Sequence, residues 1–359
     1  MASNIIRLAM VGCGAISQKH VNALQNVENV KIVAVCDMNP KLAIVVGQRL
    51  QVPSFTDPHE MAIKEKFDAF EILTPSGNHA SMILELVKYQ KHFIVEKPLA
   101  LRIEDADQIL QSCDANGIKI FVVQQNRYNL PVVKLKEAID QGRFGKLVLG
   151  TIRLRWCRKQ SYYDEKPWRG TWAEDGGVLT NQASHHIDML IWLMGDVESV
   201  MAMTSTSLAN IEAEDTGVAI VKFYNGALGV IEATTATRPK DLEGSISILG
   251  EKGAVEVGGF FMNQLKTWQF QDVLPEDETI WSEWSKNPDT PAWNHGEYLK
   301  DVIKCIQENR RGLVDGLEGR KSLELINAIY ESAETGQMVP LRFRPRFCRL
   351  GLQGNDIAR

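Results

Sequence analysis

The sequence predicts an α/β protein of two domains: an N-terminal doubly wound parallel sheet, then an α+β domain on a large, mostly antiparallel open sheet. Three observations predict it. From Ile5 to Asn126, short β-branched runs alternate with longer helical patterns. After Gln124 strand-like runs follow one another through short turns such as Tyr224-Asn225-Gly226. The 359 residues also suit two domains, at about 150 residues per domain.

The first domain, expected over 1–124, reads IIRLAMVG, QKHVNALQNV, KIVAVCD and PKLAIVVGQRL, with further strand-like runs at Ala69 to Thr74, His92 to Glu96 and Lys119 to Val123. Helical stretches at 78–90 and 103–115 lie between them; these five runs belong to an expected total of six strands with five crossovers in one doubly wound domain. The second domain, expected over 125–344, opens with a helix at 131–141. Strands are expected at 146–157, 197–207, 216–224, 227–235, 245–250 and 265–270. A helix from Asn181 to Leu193 interrupts them, and helices at 295–309 and 317–335 close the domain. Residues 345–359 carry mixed charge without periodicity and read as a tail.

Composition sets the class of function. Hydrophobic residues at 44% and charged residues at 24% are ordinary globular usage. A net charge of −5 is too mild to recruit nucleic acid or an anionic membrane, so any anionic ligand must be held by local groups. Six widely spaced cysteines without a C-x-x-C imply reduced thiols and a cytoplasmic protein. No secretory leader is apparent, and no run of 18 apolar residues occurs, so neither secretion nor membrane spanning is expected.

Gly12-Cys13-Gly14-Ala15-Ile16-Ser17 follows the first strand and opens the first helix, the context of a dinucleotide fingerprint with serine in the third glycine position. Gly12 permits the tight turn, and Gly14 lets backbone N–H groups and the helix N-terminus approach a pyrophosphate. Asp37 ends the second strand 23 residues after Gly14, where an acid accepts the ribose hydroxyls and repels a 2′-phosphate. NAD is therefore expected rather than NADP. The same aspartate would also suit the turn before Asn39-Pro40.

Glu96-Lys97-Pro98 stands at the carboxyl edge of the sheet, which puts Lys97 near a nicotinamide. The proline fixes the backbone, and a cis bond there would aim the lysine inward. A second cluster runs from Asp175-Gly176-Gly177 to His185-His186-Ile187-Asp188. Asn181, His185 and Asp188 are spaced to share one helical face, whereas His186 points elsewhere and reads as structural. The glycine pair allows close approach of another backbone or of a ligand. Asp175, His185, His186 and Asp188 have no established zinc spacing, so no metal is expected.

With Thr74-Pro75-Ser76 and His79 added, these motifs resemble the glucose-fructose oxidoreductase, inositol dehydrogenase and rhizopine catabolism superfamily, from Ile6 to about Pro340. The resemblance implies a Rossmann domain whose NAD site draws on Gly12, Cys13, Gly14, Ala15, Ile16, Asp37, Thr74, Pro75, Ser76, His79, Glu96, Lys97 and Gln125. It also implies that Lys97 and His185 flank the reacting carbinol. Many members carry aspartate four residues before that histidine; Asn181 stands there, and an asparagine brings no charge to raise the histidine pKa. Asp188 is left as a residue that could orient His185.

Within the superfamily, the stretches Val123 to Asn129, Tyr162-Tyr163, Trp168 to Trp172, Asn181 to His185 and Asn210 to Thr216 are similar to the bacterial UDP-N-acetyl-2-amino-2-deoxyglucuronate 3-dehydrogenases of surface-polysaccharide (O-antigen) synthesis. A UDP-uronic acid brings pyrophosphate, carboxylate and uracil, and arginines fork onto such anions. The expected substrate residues are Lys97, Asn126, Arg127, Arg158, Tyr163, Arg169, Asn181 and His185. Arg153 and Arg155 share strand parity and could equally be a solvated face, and Trp168 and Trp172 read first as packing.

The mechanism expected is proton transfer from the sugar 3-hydroxyl to His185, with hydride passing to NAD and Lys97 stabilising the alkoxide. The two roles could be exchanged. A free-polyol dehydrogenase and a non-catalytic NAD-binding sensor are the alternative readings. The resemblance further implies homodimers or homotetramers, and leaves open whether a 2-oxo acid such as 2-oxoglutarate reoxidises NADH in place.

Overall fold

Six parallel strands organise the first of two units into which the computed structural model divides; the structure describes residues 5–286, 293–341 and 350. The strands are β1 (Ile6–Val11), β2 (Val30–Cys36), β3 (Ser54–Phe55), β4 (Ala69–Ile72), β5 (His92–Val95) and β6 (Ile120–Val122), in the order β3-β2-β1-β4-β5-β6. Helices α1 (Ala15–Leu24), α2 (Pro40–Leu50), α3 (Pro58–Lys64), α4 (His79–Leu86) and α5 (Ile103–Ala115) supply five crossovers. Strand direction of travel reverses between β1 and β4, which opens a crevice at their carboxyl ends. Helices cover both faces, so β1 and β4 are buried almost throughout. Strand β3 corresponds to none of the expected runs; two residues are too few to show a period.

The second unit comprises 126–291 and 321–359. In chain order it contains α6 (Leu130–Asp140), β7 (Leu147–Arg155), α7 (Gln160–Asp164), α8 (Ser184–Met194), β8 (Val197–Ser205), β9 (Thr216–Phe223), β10 (Leu228–Thr234), β11 (Glu243–Gly250), β12 (Gly253–Gly258), β13 (Gln264–Phe270) and α9 (Pro275–Trp284). The sheet order is β13-β12-β11-β7-β10-β9-β8-β14, where β14 is Val339–Pro340. Every neighbour is antiparallel except β7 and β10, so the expected open sheet is present with one parallel pair. Strands β12 and β14 are additions to the expected runs. One face lies under α8, and Gly150 makes that contact possible: a Cβ there would come 2.8 Å from Leu190 and Met194.

The helix expected at 295–309 corrects the expected organisation. Helix α10 (Trp293–Gln307) belongs to the first unit, where it packs on α1. An amphipathic pattern specifies a buried stripe but not which surface buries it. Helix α11 (Gly316–Thr335) enters the second unit from Lys321 onward. The expected tail, 345–359, including Cys348, lies outside the described residues apart from Leu350.

Two buried charge clusters fix the segment that carries the second sequence cluster. Helix α8 is apolar on nearly every side, yet Asp188 sits within it, and Arg127 grips both its carboxylate oxygens at 2.7 and 2.8 Å. Both side chains are 1% exposed. Ahead of the helix, Glu214 Oε1 accepts the Leu179 N–H and the Tyr330 hydroxyl, each at 2.9 Å. The same carboxylate fills the space beside Gly177, where a Cβ would lie 2.3 Å from its carboxyl carbon. The glycine pair thus serves close approach of protein to protein. Burial pushes the Glu214 carboxyl up to about 7.

Arg127→Met leaves Asp188 buried without that guanidinium and is expected to cost about 3–5 kcal/mol, with most of the loss recovered when Asp188→Leu is added; unfolding midpoints of the three proteins check this. For Glu214 the native carboxyl keeps a proton that the unfolded chain releases between its ordinary 4.5 and about 7, so stability falls as pH rises through that window. Glu214→Gln should therefore raise the thermal midpoint above neutrality and leave it unchanged near pH 4.5, measured across a pH series.

Candidate active site

The turn after β1 is built for a close neighbour. Gly12 has φ +103°, and a Cβ on it would sit 2.6 Å from the Leu73 carbonyl oxygen, which only glycine avoids. Gly14 precedes α1 without a side-chain cap, and no atom lies within 4 Å of where its Cβ would be. Ala15 and Ile16 then open the helix. An uncapped N-terminus beside open space fits the pyrophosphate of NAD. Ser17 in the third glycine position is buried and turns its hydroxyl onto the Gly14 carbonyl at 2.7 Å.

Asp37 links the two strand ends. Its Oδ2 accepts the Cys13 N–H and its Oδ1 the Asn39 N–H, both at 2.8 Å. The turn role is thus filled, and the carboxylate keeps further lone pairs that hydroxyls could use. The Cys13 thiol is buried, and burial followed by the Asp37 charge pushes it up to about 12. It is a packing group, and the residue's backbone is what the site can use.

At the carboxyl end of β4, Thr74, Pro75 and Ser76 are half-buried and lead into α4. His79, expected at the cofactor, is fully buried behind them: its ring nitrogens lie 2.8 Å from the Pro98 carbonyl and 2.9 Å from the Thr74 carbonyl. It ties the Thr74 loop to the Glu96-Lys97-Pro98 loop. The Lys97–Pro98 bond is cis, and Lys97 is half-buried. The Glu96 carboxylate turns inward onto His20 at 2.9 Å and accepts the Lys97 N–H at 3.1 Å, which leaves the backbone of this residue to face a cofactor. Gln125 is buried at the end of this unit.

In the second unit α8 starts at Ser184, so Asn181 stands in the preceding turn and not on one helical face with His185 and Asp188. Its amide donates to Asp175, whose other oxygen accepts the Gly170 N–H at 2.9 Å. His185 is half-buried in the first turn of α8. His186 is buried edge-on against Trp156, and burial drives its pKa down to about 4, in keeping with a structural role. Asn126 is half-buried. Arg127, expected at the substrate, is instead committed to the core through Asp188.

The arginine cluster gathers on Tyr162. The Arg169 guanidinium stacks 4.0 Å from its ring centroid and that of Arg158 lies 5.5 Å away. Gln182 donates to the Tyr162 hydroxyl at 3.4 Å. Arg158 pairs with Asp241 and Arg169 with Glu165, yet Arg169 Nε is buried without a hydrogen-bond partner, an arrangement that favours an incoming acceptor. Tyr163, expected at the substrate, is buried and bonded to the Thr235 hydroxyl at 2.9 Å. Tyr162 and Gln182 lie in stretches that carry the resemblance but are not among the expected substrate residues; adjacent tyrosines on a short helix point in different directions. Arg153 and Arg155 pair with Glu232, Glu243 and Glu256 across the sheet. Trp172 packs against Tyr330. Among the described residues one trio, His20, Glu96 and His295, has its ligand atoms within 4.8 Å of one another.

Comparison with known proteins agrees with this architecture. The model of an oxidoreductase family with an NAD-binding Rossmann fold matches residues 6–124, and that of its C-terminal alpha/beta domain matches 136–341. The chain is 40% identical to the WlbA dehydrogenase of Bordetella pertussis, solved with NADH and UDP-GlcNAcA, with a TM-score of 0.90 over 96% of this chain and 99% of that one. The WlbA dehydrogenase of Chromobacterium violaceum, solved with the same ligands, is also 40% identical, with a TM-score of 0.89 over 96% and 98%. The myo-inositol 2-dehydrogenase of Thermotoga maritima is 25% identical over 94% of this chain and 98% of its own length. Its two matched domains, with a glycine turn and an acid suited to NAD, make this chain a member of the glucose-fructose oxidoreductase, inositol dehydrogenase and rhizopine catabolism family of NAD-dependent oxidoreductases.

Proposed function

We propose that the chain oxidises the C3 hydroxyl of UDP-N-acetyl-2-amino-2-deoxy-D-glucuronate (UDP-GlcNAcA) to the 3-keto sugar, in synthesis of surface polysaccharide. The observation that carries this reading is the 40% identity, across nearly the whole chain, to two dehydrogenases solved with NADH and that sugar nucleotide. The cluster of Arg158, Arg169 and Tyr162 supports it, since two guanidiniums over an aromatic ring suit an anionic substrate better than a neutral polyol. A polyol substrate is the second reading, favoured by the 25% identity to myo-inositol 2-dehydrogenase.

NAD, when bound, accepts the hydride from C3. Gly12, Gly14 and the N-terminus of α1 hold its pyrophosphate and Asp37 its ribose. The loops bearing Thr74, Pro75, Ser76 and Lys97 border its nicotinamide, with His79 acting behind them. A ring nitrogen of His185 takes the hydroxyl proton, and the Lys97 ammonium stabilises the negative charge that grows on the sugar oxygen. Asn126, Asn181 and Gln182 orient the sugar, and Arg158 and Arg169 face its anionic groups. A 2-oxo acid such as 2-oxoglutarate would serve as oxidant if the reduced cofactor were kept between turnovers.

A second copy of this chain is the proposed partner of the outward face of the large sheet. On that face Met201 lies opposite Ile220 and Met203 opposite Val218, all exposed, and Leu228 extends the apolar surface. Light scattering should give a dimer or tetramer mass, and Val218→Glu with Ile220→Glu should shift it toward a monomer; a monomeric parent protein would overturn this assignment.

With NAD, purified protein should form a 3-keto sugar from UDP-GlcNAcA, with and without 2-oxoglutarate, and none from myo-inositol or glucose; NADH should accumulate when 2-oxoglutarate is left out. His185→Ala should lower turnover at neutral pH by about 10²–10⁴-fold. Turnover of myo-inositol alone would establish the second reading. A His185→Ala enzyme of normal rate beside an inactive Lys97→Ala would exchange the two roles.

A further inference from the structure

Three titratable side chains of the first unit meet away from solvent, with a fourth beside them. His20, on the inward side of α1, places Nδ1 2.8 Å from Glu71 Oε1 on β4 and Nε2 2.9 Å from Glu96 Oε1 at the end of β5. All three are buried. His295, at the start of α10, meets the His20 ring edge-on at 5.6 Å between centroids and turns its own Nδ1 to Asn294 Oδ1. A neutral imidazole has one N–H, so between two carboxylates it would turn a lone pair toward one of them. With both glutamates ionised, hydrogen bonds on both sides call for an imidazolium. Burial pulls the His20 pKa down, but the charge and hydrogen bonds of Glu71 and Glu96 outweigh it and hold it near about 10. Burial, with the His20 charge second, drives His295 down to about 4, which leaves that ring neutral.

The remaining oxygen of Glu96 accepts the backbone N–H of Lys97 at 3.1 Å. A continuous path thus runs from the helix that begins at Gly14, through His20, to the loop that carries the lysine.

We propose that His20 is a positioning residue: as a buried imidazolium clamped by Glu71 and Glu96, it anchors the Glu96-Lys97-Pro98 loop to α1 and so sets where the Lys97 ammonium stands. The inference rests on the reading of Lys97 as the group that meets the sugar oxygen. His20, Glu96 and His295 also have the spacing to hold a cation, but the hydrogen-bond distance between His20 and Glu96 accounts for their approach without one.

Nitrogen-15 NMR of the full-length protein tests the clamp directly, with the His20 ring assigned by its loss in His20→Gln. Both His20 nitrogens should carry protons at about pH 8, where an ordinary histidine is neutral. His20→Gln should lower kcat by about 100-fold, with KM for UDP-GlcNAcA and Kd for NAD within about threefold of the parent. Glu71→Gln, which keeps the shape of β4, should lower kcat by about tenfold. A neutral His20 ring, stoichiometric zinc in the purified protein, or either variant with parental kcat would overturn the proposal. If the parent protein oxidises neither UDP-GlcNAcA nor myo-inositol, the functional reading fails, while the protonation of His20 still decides the clamp.

Discussion

Each unit has to accommodate carboxylates in a dry interior, and the arrangement around those carboxylates places the chemistry. An unmatched buried charge costs several kcal/mol, so a strand or helix that carries one folds only where its counter-group is waiting. In the first unit Glu71 lies in the middle of β4 and His20 meets it from α1. In the second, Asp188 lies within an apolar helix and Arg127 meets it from the segment that follows β6. Glu214 is solved differently, by a backbone N–H and a tyrosine hydroxyl, and it is the one whose proton affinity rises to neutrality. These pairings join elements far apart in the chain, and so they fix a register that hydrophobic contact alone would leave loose.

The dinucleotide-binding fold was legible because its signals are local. A glycine turn between strand and helix, and an acid at the end of the next strand, each stand out within a few residues. The alternation of strand and helix likewise exposed the first domain, except β3, whose two residues carry no pattern. The second sheet was legible as a series of strands, but its parallel pair of β7 and β10 depends on which strands meet, and local sequence does not carry that information.

What stayed hidden depends on pairing at a distance. Nothing near Arg127 distinguishes an arginine that binds an anion from one that neutralises an aspartate 61 residues later. His79 and Glu96 belong to conspicuous motifs, yet the His79 ring is spent on the Pro98 and Thr74 carbonyls and the Glu96 carboxylate on His20. Tyr163 turns to Thr235 and Tyr162 to Arg158 and Arg169 because of the way a five-residue helix faces, which no local pattern announces. Asn181 fell in the turn before its helix because that helix begins only at Ser184, after a run held by Glu214 and Asp175.

The return of α10 to the first unit bears on how the chain is made. The dinucleotide sheet is complete in residue order by β6, but the helix that covers α1 and brings His295 beside His20 is synthesised only after strands β7 to β13 of the second sheet. During synthesis at about 5–20 residues per second, domains tend to fold in order from the N-terminus. Here the first unit must wait, with one helix face uncovered, while some 170 further residues emerge (from 126 to 292). The two units are therefore not modules that could be cut apart at residue 125 and used separately: the N-terminal fragment would lack a wall of its own interior.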